Sequence, residues 1–220
     1  MNQTHRGPGG GTWSRVVLVA AALLLSAPVH AQGPVSLRGF GDVGWTTFAA
    51  TQSFAAVLGS ETGRLFGGGV DVVVARRVFV TLRASRFQDV GQRVFLFEGT
   101  QFDLGIPTTI TVTPLELTAG YRLDRGWRLV PYAGAGISQH RYTEASDFAE
   151  DSENVDDRFS GYHVLGGVEF RLMQWLGAAV ETQWATVPDA IGDDPNSVSH
   201  AFDESDLGGV TLRLKVVVGR

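Results

Sequence analysis

The chain has 220 residues, no cysteine, 23 acidic against 18 basic side chains and a formal charge of −5. It therefore has no disulfide scaffold or thiol chemistry, and its acidic balance argues against a nucleic-acid partner, which needs a basic face. A mean hydropathy of +0.05 reads as that of a soluble protein, and the order of residues along the chain contradicts that reading.

The first element is a segment to set apart from the fold. Arg6 and Arg15 precede the apolar run Val16 to Leu25, and Val29-His30-Ala31 puts small residues at the two key positions of a cleavage site. The run ends at Ser26 and Pro28, short of the roughly 20 residues that a spanning helix needs. Residues 1–31 are thus expected to be a cleaved signal peptide and residues 32–220 a single domain. Removing that segment takes away two arginines and no acid, so the charge moves from −5 to −7.

Eight stretches of alternating apolar and polar residues follow: Val35–Ala49, Leu65–Ala75, Val78–Phe87, Thr109–Arg122, Leu129–Tyr142, Phe159–Leu172, Trp175–Thr186 and Leu207–Gly219. Successive side chains on a strand point to opposite faces, so each stretch predicts a strand with two distinct faces. The last is the clearest: Val210, Leu212, Leu214, Val216 and Val218 share one face, with Thr211, Arg213 and Lys215 on the other. The connections alternate between long (50–64, 88–108, 143–158, 187–206) and short (76–77, 123–128, 173–174). A soluble sandwich has no reason to gather every long loop at one end, whereas an outer membrane barrel has short periplasmic turns and longer extracellular loops. The expected fold is all-β, an eight-stranded antiparallel up-and-down transmembrane β-barrel with lipid on the apolar face.

Aromatic positions fit two interfacial girdles. Trp45, Phe48, Phe87, Tyr142, Phe159, Tyr162 and Trp184 fall near the long-loop ends, and Phe79, Tyr121, Trp127, Tyr132 and Trp175 near the short-turn ends. Glycines inside strands, such as Gly67-Gly68-Gly69 and Gly166-Gly167, leave room for large inward groups. Ile110 and Val112 are out of phase with Leu115, Leu117 and Tyr121, which predicts a bulge at Pro114 or an exit from the membrane there.

The segments Leu115-Glu116-Leu117-Thr118-Ala119-Gly120-Tyr121-Arg122, Pro131-Tyr132-Ala133-Gly134-Ala135-Gly136 and Gly166-Gly167-Val168-Glu169-Phe170 resemble strands of the OmpA-like, or opacity-type, outer membrane β-barrel family. The resemblance covers the whole of 32–220 and implies architecture more than activity. Two features depart from it. The chain ends Val218-Gly219-Arg220 where the family's assembly signal usually ends in an aromatic residue, and no peptidoglycan-binding domain follows the last strand. The partners implied are outer membrane lipids, both lipopolysaccharide and phospholipid, and the barrel-assembly machinery. A monomer without cofactor is expected, with a structural or surface-interaction role; the alternatives are a small OmpW-like channel for ions or apolar solutes, and a lipid-modifying enzyme. A soluble lipocalin-like barrel would instead require an apolar lumen.

With the apolar face outward, the interior collects Arg38, Asp42, Asp71, Arg83, Glu116, Arg122, Glu169, Arg171, Glu181, Arg213 and Lys215. An eight-stranded barrel is just wide enough for side chains to fill, and desolvated charges must pair. An ion-paired, closed lumen is the expectation, against a narrow or gated channel. The long loops carry Glu144, Asp147, Glu150, Asp151, Glu153, Asp156 and Asp157, then Asp189, Asp193, Asp194, Asp203, Glu204 and Asp206, with Arg158 the only cation within those two loops. These carboxylates form a solvated surface or a site for divalent cations, although no EF-hand spacing is present. Ser138, His140, Ser160, His163 and Glu181 lie near one another at the outer mouth, where a hydrolase would place nucleophile, base and orienting acid; no Gly-x-Ser-x-Gly elbow accompanies them. Gly39-Phe40-Gly41-Asp42-Val43-Gly44 matches the dinucleotide fingerprint in letters but lies inside a strand with no helix after it. The basic turns, Arg76-Arg77 and Arg122 with Arg125 and Arg128, suit anionic inner-leaflet headgroups.

Overall fold

The structure is a computed structural model and describes residues 35–97, 100–146, 155–192 and 197–219. The expected signal peptide lies outside the described residues, as do Asp147, Glu150, Asp151, Glu153, Asp193 and Asp194. Eight antiparallel strands close into a barrel in chain order: β1 (Val35–Phe48), β2 (Thr62–Val74), β3 (Val78–Phe97), β4 (Thr100–Arg122), β5 (Leu129–Ala145), β6 (Val155–Arg171), β7 (Leu176–Thr186) and β8 (Gly209–Gly219). Closure comes from β1 pairing with β8, Arg38 opposite Gly219 through Phe48 opposite Gly209. Around the barrel wall every strand is paired on both sides, the condition for backbone to sit in lipid; beyond Phe87 of β3 and before Tyr162 of β6 the strands run on with one neighbour each.

The short β2–β3 turn is made without glycine. Ala75 and Arg76 both take left-handed backbone, φ 49° and 62°, and Arg77 N–H closes the turn on the Val74 carbonyl at 3.0 Å. Two left-handed central residues match the twist of the strands they join. Two connections carry helices. In the first, α1 (Thr51–Leu58) stops at Gly59, whose φ of 74° lets its N–H cap the Ala55 carbonyl. In the last, α2 (Val198–Ala201) starts from the side chain of Ser197.

Two expectations change here. The segment 88–108 is no loop, because β3 and β4 continue as a paired hairpin to Phe97 and Thr100 with one register shift, between Gln92 and Val94. Pro114 marks no bulge: β5 passes it in unbroken register, with His140 opposite. Ile110 and Val112 point inward, in line with Glu116 and Thr118. The break in phase belongs to the lining of the lumen, which turns from charged to apolar, and the backbone stays regular.

Lipid-facing positions carry the exposed apolar set, including Val80, Leu82, Leu117, Val164, Val168, Leu212, Leu214 and Val216. Trp45, Tyr121, Trp127, Tyr162, Trp175 and Trp184 are also exposed, and Tyr162 meets Trp184 edge-on at 6.3 Å between ring centroids. Tyr132 and Tyr142 leave the girdles assigned to them. Both stand on the inward face of β5, Tyr132 buried and Tyr142 packed against apolar groups at the mouth. Phe48, Phe79, Phe87 and Phe159 turn inward as well. Glycine makes the room: a Cβ on Gly167 would meet the Tyr132 ring and hydroxyl at 2.6 Å, and one on Gly120 would meet Phe79 at 2.4 Å.

Candidate functional site in the barrel interior

The interior is layered from the long-loop end to the short-turn end. At the top is an apolar plug. Phe48, Leu65, Phe87, Ile110 and Val112 come from the strands, Ala50 and Phe54 from the first connection, and Val187, Ala190 and Leu207 from the last. Phe54 of α1 stacks on Phe48 with centroids 3.9 Å apart, and Phe87 meets Phe48 edge-on at 5.0 Å. Helix α1 is amphipathic but has no N-cap of its own. Glu204, from the last connection, supplies one: its carboxylate accepts the Gln52 N–H at 3.0 Å, the Ser53 N–H at 2.8 Å and the Ser53 hydroxyl at 2.6 Å. A carboxylate at a helix N-terminus satisfies orphan donors and the helix dipole together.

Below the plug lies the first ionic layer. Arg83 is at its centre, with Glu181 at 2.7 Å, Asp42 at 3.2 Å and Glu116 at 3.5 Å. Arg213 lies 3.5 Å from Glu116 and 3.7 Å from Glu181, and it donates to the Gln183 carbonyl. Gln183 passes its own N–H to Glu116 at 2.7 Å, and Tyr132 donates to Glu181 at 3.0 Å. Phe40 lies between this layer and the next, with the Arg83 guanidinium 5.2 Å and the Lys215 ammonium 3.6 Å from its ring centroid. Both cations meet the ring's negative face.

In the second ionic layer Arg38 bridges Asp71 at 3.0 Å and Glu169 at 2.9 Å. Arg122 reaches Glu169 at 3.0 Å, Lys215 reaches Asp71 at 3.4 Å, and Thr81 donates to Asp71 at 2.7 Å. The upper layer holds three acids against two bases and the lower layer two against three, so the interior as a whole is balanced. Arg171 does not join them. It points to the short-turn rim, where its guanidinium grips Asp124 of the β4–β5 turn with two hydrogen bonds. Val73, Phe79, Tyr132, Leu165 and Ala179 pack as an apolar wall beside the lower layer.

The histidine and serine group does not assemble as a triad. Ser138 and His140 share a hydrogen bond of 3.0 Å and His163 bonds Thr118 at 2.8 Å, but Ser160 faces outward. The oxygens of Glu181 are taken by Arg83 and Tyr132.

The acidic loops are less solvated than expected. Besides Glu204, Asp206 accepts the Val187 N–H and the Gly208 N–H, each at 2.7 Å, and the Thr186 hydroxyl, tying the ends of β7 and β8 together. Asp156 pairs with Arg141 through two hydrogen bonds of 2.7 and 2.5 Å, so a cation of β5, outside the loops, answers them besides Arg158. The Arg141 hydrogen bond, more than its charge, holds the Asp156 carboxyl below its usual range. Asp157 and Asp203 are exposed, the latter on left-handed backbone at φ 56°. Among the described residues no cluster of His, Cys, Asp and Glu has the geometry to hold a metal ion.

Residues 17–202 match the family model described as outer membrane protein beta-barrel domain. The chain belongs to this family. It is an eight-stranded outer membrane barrel of the OmpA-like type, and the bacterial outer membrane is where the family places it. Two solved structures share the fold. A major outer membrane protein from Thermus thermophilus aligns with a TM-score of 0.55 at 11% identity, covering 87% of this chain and 100% of that one. Neisserial surface protein A aligns with a TM-score of 0.52 at 12% identity, covering 84% of this chain and 97% of that one. A search of curated proteins found no match.

Proposed function

We propose that this barrel passes no solute and acts as a structural and surface-interaction protein, with a closed interior and its recognition surface on the long loops. The observation that carries this reading is the stacking of an apolar plug on two ionic layers. Each layer spans the interior, as when Arg38 of β1 reaches Glu169 of β6, and Arg83 of β3 reaches Glu181 of β7. A water file through such layers would have to break several buried ion pairs at once, which is costly in a low-dielectric setting. Loops on a rigid scaffold are where recognition concentrates, and the exposed acids Asp157 and Asp203 give this surface its negative character. The same reading assigns no catalytic step, since among the described residues no carboxylate bonds the histidine of the Ser138–His140 pair. Planar-bilayer recording of the refolded chain tests it: a silent bilayer is expected, and steady single-channel steps would overturn closure.

A further inference from the structure

The lipid-facing surface has a feature that the closed interior leaves unused. Outward positions of β1 to β4 inside the barrel wall, from Val35 to Thr47, Thr62 to Val74, Val78 to Gln88 and Thr109 to Tyr121, hold only two charged residues, Arg64 and Arg86. Both are exposed, and neither has a carboxylate partner among the described residues. Their height is set by register. Arg64 stands opposite Trp45 of β1, so it sits at the long-loop girdle; Arg86 stands opposite Phe66, one outward row nearer the membrane centre. Gln88, in the Arg64 row, accepts a hydrogen bond of 2.9 Å from the Arg86 guanidinium and fixes its direction. The next row inward is Gly41, Gly68 and Ala84, and a Cβ on Gly41 would meet nothing closer than 4.0 Å. Two guanidinium groups with no carboxylate partner among the described residues, flanked by Trp45 and Phe66, thus stand above a shallow trough of nearly bare backbone.

A cation at a lipid-facing position is costly unless it reaches the headgroup level, where the anions of the bilayer lie. Guanidinium groups match phosphate with paired, charge-assisted hydrogen bonds. The geometry points to Arg64 and Arg86 as a binding site for the phosphate of lipid A, the phosphorylated lipid of the outer leaflet, with an acyl chain lying over the trough at Gly41 and Gly68. The other outward cations, Arg141 and Arg158, do not duplicate it. Arg158 lies two outward rows beyond Tyr162, about 13 Å further out along β6, and Arg141 is held by Asp156. The inference rests on the outer membrane placement and not on closure of the lumen, so a conducting barrel would overturn closure and leave this site standing.

The test uses the refolded full-length barrel in detergent, titrated with bisphosphorylated lipid A, with dephosphorylated lipid A and with dioleoyl phosphatidylglycerol, binding being read by native mass spectrometry. Bisphosphorylated lipid A should bind best, and R64Q/R86Q should weaken it by about tenfold or more, the loss expected for charge-assisted bonds. R141Q/R158Q should stay within about twofold of the parent, since those residues lie above the site. Heat-modifiable migration on a gel checks that each variant folds. If R64Q/R86Q does not fold, R64Q and R86Q singly decide the matter, each with a loss of about threefold or more expected. Parent-like binding by the Arg64 and Arg86 variants, an equal loss in R141Q/R158Q, or phosphatidylglycerol binding as tightly as lipid A would overturn the assignment.

Discussion

Arg83 is the most connected charge in the interior, and replacing it by methionine tests whether the ionic layers hold the barrel together. The side chain is 2% exposed and is shared by Asp42, Glu116 and Glu181 at 3.2, 3.5 and 2.7 Å. Methionine keeps most of the volume but leaves Asp42 with no ion pair among the described residues, and it leaves Glu116 and Glu181 with Arg213 as their ion-pair partner there, at 3.5 and 3.7 Å. Removing one member of a buried pair costs about 3–5 kcal/mol because the other charge stays behind unpaired. Three carboxylates lose a shared partner, so Arg83→Met belongs near the top of that range, about 5 kcal/mol. Arg213→Met should cost less, about 2–3 kcal/mol, because Glu116 and Glu181 both keep Arg83. Arg83→Met with Glu181→Gln should recover part of the loss, since one of the stranded charges is gone. The assay is equilibrium unfolding in urea of barrels refolded into lipid vesicles, followed by tryptophan fluorescence. If Arg83→Met costs under about 1 kcal/mol, as an exposed pair would, the layers are solvated and the case for a closed lumen fails with them.

Two further perturbations address the ends of the barrel. Glu204→Gln removes the charge that caps α1 and should cost about 1 kcal/mol locally; amide exchange at Gln52 and Ser53 should accelerate about fivefold while the urea midpoint of the barrel stays put, and unchanged exchange would show that α1 needs no cap. At the other end, burial opposes ionisation of Asp124, but the hydrogen bonds from Arg171 and from the Gly126 N–H outweigh it and hold the carboxyl below its ordinary value of 3.8. The folded value lies below the unfolded one, so the stabilisation is complete above the unfolded value and fades as pH falls through the folded value. The stability gap between the parent and Asp124→Asn should therefore be widest near neutral pH and narrow in acid below 3.8; a gap that stays constant across that range would remove the ionic role of Asp124.

The strands were legible because lipid imposes one chemistry on one face of every strand. Val210, Leu212, Leu214, Val216 and Val218 must all be apolar wherever they sit along the bilayer, so period-2 alternation survives without interruption. The inward face obeys no such uniform rule. Its charged residues could be named from the sequence, because they stand on the face opposite the apolar one, but their partners could not. Arg83 meets Glu181 through barrel closure, and Arg171 leaves the network because one turn residue, Asp124, lies within its reach. The same lack of a rule explains why Ile110 and Val112 read as a break in phase: near the mouth the inward face is apolar, and an alternation that changes sign looks like a backbone that has slipped.

The aromatics were misplaced for a related reason. An aromatic near a strand end satisfies a girdle and a lumen equally well by position, and the deciding information is the size of the residue across the sheet. Tyr132 lies inward because Gly167, its neighbour on β6, leaves the space for its ring. Glu204 carried no local signal at all, since its partners on α1 are about 150 residues away in sequence. It reads as one acid among many in an acidic loop, and only closure of the barrel sets it over an uncapped helix. That contact links the first long connection to the last across the mouth. The part of the chain expected to be most solvated thus supplies the latch on the apolar plug, so substitutions at Glu204 should be felt in the interior before those at the exposed Asp203 beside it.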